Sequence, residues 1–291
     1  MAILTRWTAV GLTLLAAVLT GCSSADRAPT VVASFYPLAF LAQHVAGPGW
    51  DVIDLTPPGA EAHDVELTLE ARALLQEADL VLYMGDLGFQ PQVEEAVTEA
   101  EGTVVAVGEQ LIHGPFPDDE PVDPHVWLDP GAMRTAAALL ARTLAEIDPG
   151  GGYRNRAEPI RADLGVLSDD YERTLHPERC TFETAIVSHE AFNYLLGRYG
   201  LMQFGLAGLA PEAEPTVERI ATAQSLIERG EAGAIFFEAD DEARRIAESI
   251  AADFGVPALP LSTLESQPPS GDYLSVMEDN LESLREGLGC P

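Results

Sequence analysis

The sequence predicts an α/β protein of two lobes, each a mostly parallel sheet flanked by helices, joined by one long connecting helix. Short apolar runs that suit buried strands alternate with longer helical patterns along most of the chain, which is typical of parallel sheets covered on both faces. A glycine-rich break interrupts this alternation near the middle. A chain of 291 residues has room for two such lobes.

The first lobe is expected over residues 30–150, with four strands and four helices. Its strands are predicted at 30–34, 52–55, 79–84 and 103–107, and its helices at 38–46, 69–76, 92–100 and 132–147. The second lobe is expected over residues 179–291 and repeats the scheme. Its strands are predicted at 184–187, 201–204, 234–237 and 257–261, and its helices at 190–199, 216–229, 241–254 and 273–288.

The connecting segment is assigned to residues 151–178. It follows the break at 148–152, and its apolar positions recur every three to four residues, which buries one stripe of a helix. A helix of this length, on the order of 30 Å, could run along the back of both lobes. The glycines before it leave a hinge as the alternative.

The N-terminus is typical of an exported protein. Residues 1–21 read as a signal peptide, in which Arg6 precedes a small apolar run that is too short for a stable membrane span. The run ends in Leu19-Thr20-Gly21-Cys22, which resembles a bacterial lipobox. That resemblance implies that Cys22 carries lipid, that residues 22–29 form a leash, and that the protein is anchored on the extracytoplasmic face of the cytoplasmic membrane. Plain secretion is the alternative.

Export also affects the remaining cysteines, because thiols outside the cytosol tend to pair. Cys180 and Cys290 are therefore expected to form a disulfide, and two unrelated buried thiols are the alternative. The net charge of −31 at pH 7 excludes a nucleic-acid partner, because a polyanion would be repelled. The same field favours cations.

Three of the six histidines stand in settings that suit a ligand. His125 lies between two Asp-Pro pairs, and each proline restricts the backbone, so we expect His125 on a short, stiff, extended segment. His63 ends a turn-rich loop, and His189 follows an apolar strand directly. Ligands bind at such junctions in α/β sheets. A half-buried polar residue is the alternative for each of the three taken alone.

Three imidazoles from separate loops would make a nitrogen-rich site. Tetrahedral Zn²⁺ fits such a set, with a carboxylate or a water at the fourth position. Binding needs unprotonated imidazoles, so affinity is expected to weaken as the pH falls through roughly 6.5.

Four motifs in order resemble the zinc-binding lipoproteins of bacterial metal ABC transporters. They lie at 59–68, 123–130, 187–195 and 272–281, and the resemblance covers nearly the whole exported chain. It implies two α/β lobes joined by a long helix, a metal held between them by His63, His125 and His189, and delivery to an ABC permease in the membrane. A monomer without enzymatic activity is the corresponding expectation.

The sequence departs from that family in two places. The loop at 113–123 is short and has one histidine, so a zinc-collecting role for it is doubtful. Where relatives place an aspartate ligand, this chain has Ser262, and Glu265 one turn away is the chosen substitute, with water as the alternative. The weaker candidates for the fourth ligand are Asp64, Glu61 and Glu238.

Three other functions remain open. A manganese-binding homologue would need a harder oxygen set than three histidines supply. A surface adhesin could use the same scaffold. A zinc hydrolase is suggested by His189-Glu190, but Asn193 stands where the His-Glu-x-x-His motif has its second histidine.

Overall fold

The computed structural model describes residues 27–112, 122–209, 215–238 and 241–291. The predicted signal peptide, Cys22 and most of the acidic loop, with His113, Asp118, Asp119 and Glu120, lie outside the described residues. Within the described part, no helix combines the length and the apolar character that crossing a bilayer requires.

Four parallel strands form the first sheet. They are β1 (Thr30–Ala33), β2 (Asp51–Asp54), β3 (Leu80–Tyr83) and β4 (Thr103–Ala106), in the order β2-β1-β3-β4. The helices around this sheet are α1 (Tyr36–Ala46), α2 (Leu69–Glu77), α3 (Pro91–Ala96), α4 (Val107–Leu111) and α5 (Pro130–Ile147). The two central strands are buried along their whole length, which explains their unbroken apolar sequences.

The second sheet repeats this topology. Its parallel strands are β5 (Thr184–Val187), β6 (Met202–Gly205), β7 (Ile235–Phe237) and β8 (Ala258–Pro260), in the order β6-β5-β7-β8. The remaining helices are α6 (Tyr153–Thr174), α7 (Asn193–Arg198), α8 (Val217–Glu228), α9 (Asp241–Phe254) and α10 (Tyr273–Gly287). The predicted α/β class, with two mostly parallel sheets, is confirmed.

The long helix α6 connects the two halves. It packs against α1 and α5 of the first half and against α10 of the second. Its buried stripe runs through Ile160, Leu164, Leu167 and Tyr171, as its periodicity predicts, and the Tyr171 hydroxyl donates to the carbonyl of Met277, 2.7 Å away. Side chains from both halves and from α6 form one continuous hydrophobic core.

Three local predictions are wrong. Helix α7 begins at Asn193 rather than at residue 190, and the backbone N–H of Glu190 donates to the carbonyl of Gly208 at 2.8 Å. Val107 begins α4 instead of ending β4. His125 is not extended, since its φ of −75° and ψ of 29° place it at the start of a short 3₁₀ turn, Val126–Leu128.

The structure pairs Cys180 with Cys290. The C-terminus also joins this region through the backbone, because the N–H groups of Thr181 and Phe182 each donate to the carbonyl of Leu288 at 3.0 Å. The pair therefore ties the end of α10 to the segment that enters β5.

Candidate metal centre

The candidate site lies where loops leave the carboxyl ends of strands. His63 is in the loop between β2 and α2, and His125 precedes α5. His189 follows β5 after one residue, and Glu265 lies in the segment between β8 and α10. The carboxyl ends of parallel strands share one edge of a sheet, so such loops can converge even when the residues are far apart in sequence.

These four residues form one cluster. One atom from each, a ring nitrogen or a carboxylate oxygen, lies within 4.8 Å of the others. The Glu265 Oε1 atom is 3.6 Å from His63 Nε2, 3.6 Å from His125 Nε2 and 3.8 Å from His189 Nε2. The two Nε2 atoms of His125 and His189 are 3.4 Å apart. Donor atoms from both halves of the molecule therefore surround one small space.

His125 is braced by a carboxylate two residues before it. Asp123 Oδ1 accepts from the His125 backbone N–H at 3.0 Å and contacts the ring Nδ1 at 2.8 Å. The Tyr194 hydroxyl donates to the carbonyl of Asp123, which fixes this turn against the second half of the molecule. With Nδ1 occupied, the Nε2 atom of this fully buried ring faces the cluster.

His189 is braced in the same way by Glu238, which follows β7. Its Nδ1 lies 2.5 Å from Glu238 Oε1. Ser188 and Thr263 also donate to the Glu238 carboxylate, each at 3.0 Å. This carboxylate therefore fixes the ring of His189 and contacts the segment that carries Glu265.

His63 has a different environment. Its ring packs edge-on against Phe89, with the centroids 4.6 Å apart, and its side chain is 13% exposed. The Nε2 atom is buried and has no hydrogen-bond partner among the described residues. Phe89 in turn packs with Phe35 and Trp127, so an apolar wall lies behind this histidine.

Glu265 is a buried carboxylate with an unusual backbone beside it. It is 4% exposed, and neither of its oxygens has a hydrogen-bond donor among the described residues. Leu264 has a φ of 57°, the only positive value at a described non-glycine residue. Such a conformation costs roughly 1 to 3 kcal/mol and persists only when the surroundings hold it.

The electrostatics differ among the three rings. Burial lowers the pKa of His125, but its contacts with Asp123 and Glu265 outweigh burial and raise that pKa to about 9. Burial also lowers the pKa of His189, and the charge of Glu238 raises it overall. For His63 burial prevails over the attraction of Glu265, so its pKa is lowered.

The other sequence candidates do not join the cluster. Glu61 and Asp64 are exposed, and Glu238 contacts the outer nitrogen of His189 rather than the shared space. At Ser262 the backbone N–H and carbonyl both bond to Asn280. A bracing role for Asp123 was not predicted from the sequence, although an aspartate side chain commonly accepts from the backbone N–H two residues further on.

Comparisons with known proteins agree on one family. Residues 31–287 match the model of ZnuA, described as the periplasmic component A of a zinc-uptake complex. A zinc-binding protein AdcA of Streptococcus pyogenes serotype M1 is 29% identical, over 88% of this chain and 55% of its own length. This chain thus spans about half the length of the AdcA relatives that it matches.

Solved structures give the same answer. The laminin-binding protein Lmb of Streptococcus agalactiae, described as bifunctional with adhesin and metal transporting activity, superposes with a TM-score of 0.77 and is 28% identical. The match covers 89% of this chain and 99% of that one. The Zn(II)-bound ZnuA-like domain of Streptococcus pneumoniae AdcA has a TM-score of 0.75 and 26% identity, over 89% and 98% of the two chains.

Proposed function

This chain belongs to the ZnuA family of zinc-uptake components, and from that premise we propose that it captures Zn²⁺ and delivers it to an ABC permease. The proposed ligands are His63, His125, His189 and Glu265. The proposed boundaries are those given above, with lobes at 30–150 and 179–291 around a connecting helix at 151–178. The metal would lie between the two lobes.

One observation carries the proposal. Tetrahedral zinc with bonds of about 2.0 to 2.1 Å keeps its ligand atoms roughly 3.3 Å apart. The Nε2 atoms of His125 and His189 are 3.4 Å apart, and Glu265 Oε1 lies 3.6 to 3.8 Å from the three imidazoles. These distances are a few tenths of an ångström longer than zinc requires, and no two of the four ligand atoms lie more than 4.8 Å apart.

The carboxylate of Glu265, which accepts no hydrogen bond from the described residues, supports the same proposal. A buried charged group without hydrogen bonds is costly, and a dication beside it removes that cost. Three neutral nitrogens with one carboxylate suit zinc better than manganese, which prefers more oxygen ligands. Zinc is therefore the proposed cargo.

Capture rather than catalysis is proposed because the cluster offers four protein ligands. A catalytic zinc keeps one position open for water or substrate, and here Glu265 would take that position. Zinc-loaded protein should accordingly leave peptide and ester substrates intact. Hydrolysis that is lost in a His125→Ala variant would contradict this.

The decisive experiment measures which metal binds. Protein purified without chelator should contain one zinc per chain, and a competition titration with a chelator should rank zinc above manganese. The His125→Ala variant is the control for adventitious metal. Tighter binding of manganese than zinc would overturn the proposed cargo.

Delivery and anchoring are tested in cells. A strain that lacks the protein should lose growth at limiting zinc, and wild type but not His125→Ala should restore it. Lipidation at Cys22 predicts that wild type sediments with membranes and that Cys22→Ala does not. The exported protein is expected to be a monomer, which its sedimentation in solution would check.

A further inference from the structure

The aim of the Glu265 carboxylate depends on the backbone that carries it. Both oxygens lack a hydrogen-bond donor among the described residues. Its direction is therefore set by the segment Leu261–Glu265, called here the Glu265 segment. This segment follows β8 and has no regular secondary structure.

Asn280, on α10, holds the Glu265 segment by two hydrogen bonds to one residue. Its Oδ1 accepts from the backbone N–H of Ser262 at 2.8 Å, and its Nδ2 donates to the carbonyl of Ser262 at 2.8 Å. The side-chain amide thus bonds to both backbone groups of Ser262, as a neighbouring strand would. Asn280 is 3% exposed, so these two bonds lie inside the protein.

Other contacts hold the residues on either side. The Leu261 N–H donates to Phe237, and the Trp127 indole donates to the carbonyl of Thr263 at 2.8 Å. None of these bonds involves the backbone N–H or the carbonyl of Ser262, which are held by Asn280. Leu264, with its positive φ, comes next and needs fixed neighbours to stay in that conformation.

We infer that Asn280 is a positioning residue for zinc capture, which acts by fixing Ser262 so that Leu264 turns Glu265 into the cluster. This role rests on the proposed function. Without the amide, the peptide of Ser262 would lose two buried hydrogen bonds, and the segment would relax toward another backbone conformation. Glu265 would then swing away from the three imidazoles.

A double-mutant cycle tests this role through zinc affinity. Chelator competition on Asn280→Ala should show a loss of about tenfold, at the lower end of the range for residues that support metal ligands. Glu265→Ala should lose at least as much. The double variant should bind no worse than Glu265→Ala alone, because Asn280 acts only through that carboxylate.

Two further variants separate positioning from stability. Leu284→Ala removes a fully buried side chain from the same helix, so it should lower the melting temperature while zinc affinity stays within about twofold of wild type. Asn280→Asp keeps the volume and the acceptor for Ser262 but loses the donor. It should therefore weaken zinc binding as Asn280→Ala does, and it replaces the alanine variant in this test if that variant does not fold.

The results that overturn the inference are distinct from those that overturn zinc capture. Equal losses from the Asn280 substitution with and without Glu265, or wild-type affinity in both Asn280 variants, would leave Asn280 with a structural role only. Wild-type affinity in Glu265→Ala would overturn it as well. Failure of wild type to bind zinc, or unchanged binding in His125→Ala, would instead overturn the proposed function.

Discussion

His125 and His189 differ from His63 in what holds their rings. Asp123 and Glu238 contact the outer nitrogens of the first two, which are completely buried. His63 packs against Phe89 and is the most exposed of the three. The braced pair, His125 and His189, comes from the two halves of the molecule, so the oriented part of the cluster spans the boundary between them.

This difference has a physical meaning. A carboxylate partner fixes both the tautomer and the direction of an imidazole, so the braced pair faces the cluster before metal arrives. The apolar edge of Phe89 supplies shape but no hydrogen bond. His63 is therefore the ligand whose position depends most on its loop.

The largest expected effect is the loss of a ligand. His125→Ala and His189→Ala should each weaken zinc binding by more than about a hundredfold, beyond the range for residues that only support ligands. His63→Ala should lose less than either, because water can reach its more exposed corner. Chelator competition measures all three, with the exposed His44→Ala as the control. A His63→Ala loss that exceeds the other two would break the comparison.

Removing the braces should have the next largest effect. Asp123→Asn and Glu238→Gln keep the side-chain shape but remove the charge, and each should weaken zinc binding by about ten- to a hundredfold. Phe89→Leu should change affinity by less than about threefold, because it removes no hydrogen bond from His63. Isothermal titration of the three variants would decide. Similar losses in all of them would mean that bracing does not distinguish the rings.

Protons compete with zinc for the ring nitrogens, and the pH dependence of this competition should be set by the braced pair. In the metal-free protein the pKa of His125 is raised to about 9, so zinc must displace its proton at neutral pH. Affinity should therefore begin to weaken below about pH 9 rather than at the ordinary histidine value near 6.5. In Asp123→Asn the onset should move to lower pH. Zinc titrations across this range, with His63→Ala as the comparison, provide the measurement.

The stability of the metal-free protein should change with pH in the direction opposite to zinc affinity, so it should decrease as the pH rises. A histidine whose folded pKa is raised stabilises the fold fully below its unfolded pKa, and loses that contribution as the pH rises through the folded value. His125 therefore contributes most below about pH 6.5 and least above about pH 9. Urea unfolding without metal should show this decline in wild type and a smaller one in Asp123→Asn.

The smallest effect on zinc is expected from the cysteine pair. Cys180 lies in the segment before β5, at the end of the strand opposite His189. Replacing Cys180 and Cys290 by serine should therefore leave zinc affinity within about twofold of wild type. Loss of a disulfide that closes so long a loop should still cost a few kcal/mol of stability. Melting curves and thiol titration of the unfolded, non-reduced protein test both points. Two free thiols in wild type would refute the disulfide.

Local patterns determined much of this protein. The apolar runs of β1, β3 and β5 and the stripe of α6 are visible in the sequence, because burial needs apolar side chains at fixed periods. The sequence also predicted that the three histidines lie beside turns or strand ends. Glu265 was a candidate for the fourth metal ligand, but the sequence did not distinguish it from water.

Only the tertiary structure decided which groups meet. Asp123 is close to His125 in sequence, whereas Glu238 and Asn280 reach His189 and Ser262 from distant elements, and no local pattern encodes such pairs. The same holds for the segment before α7, where the backbone N–H of Glu190 donates to the distant Gly208. Periodicity acts over a few residues, but the orientation of a buried imidazole or carboxylate depends on hydrogen bonds that chain folding brings together from far apart.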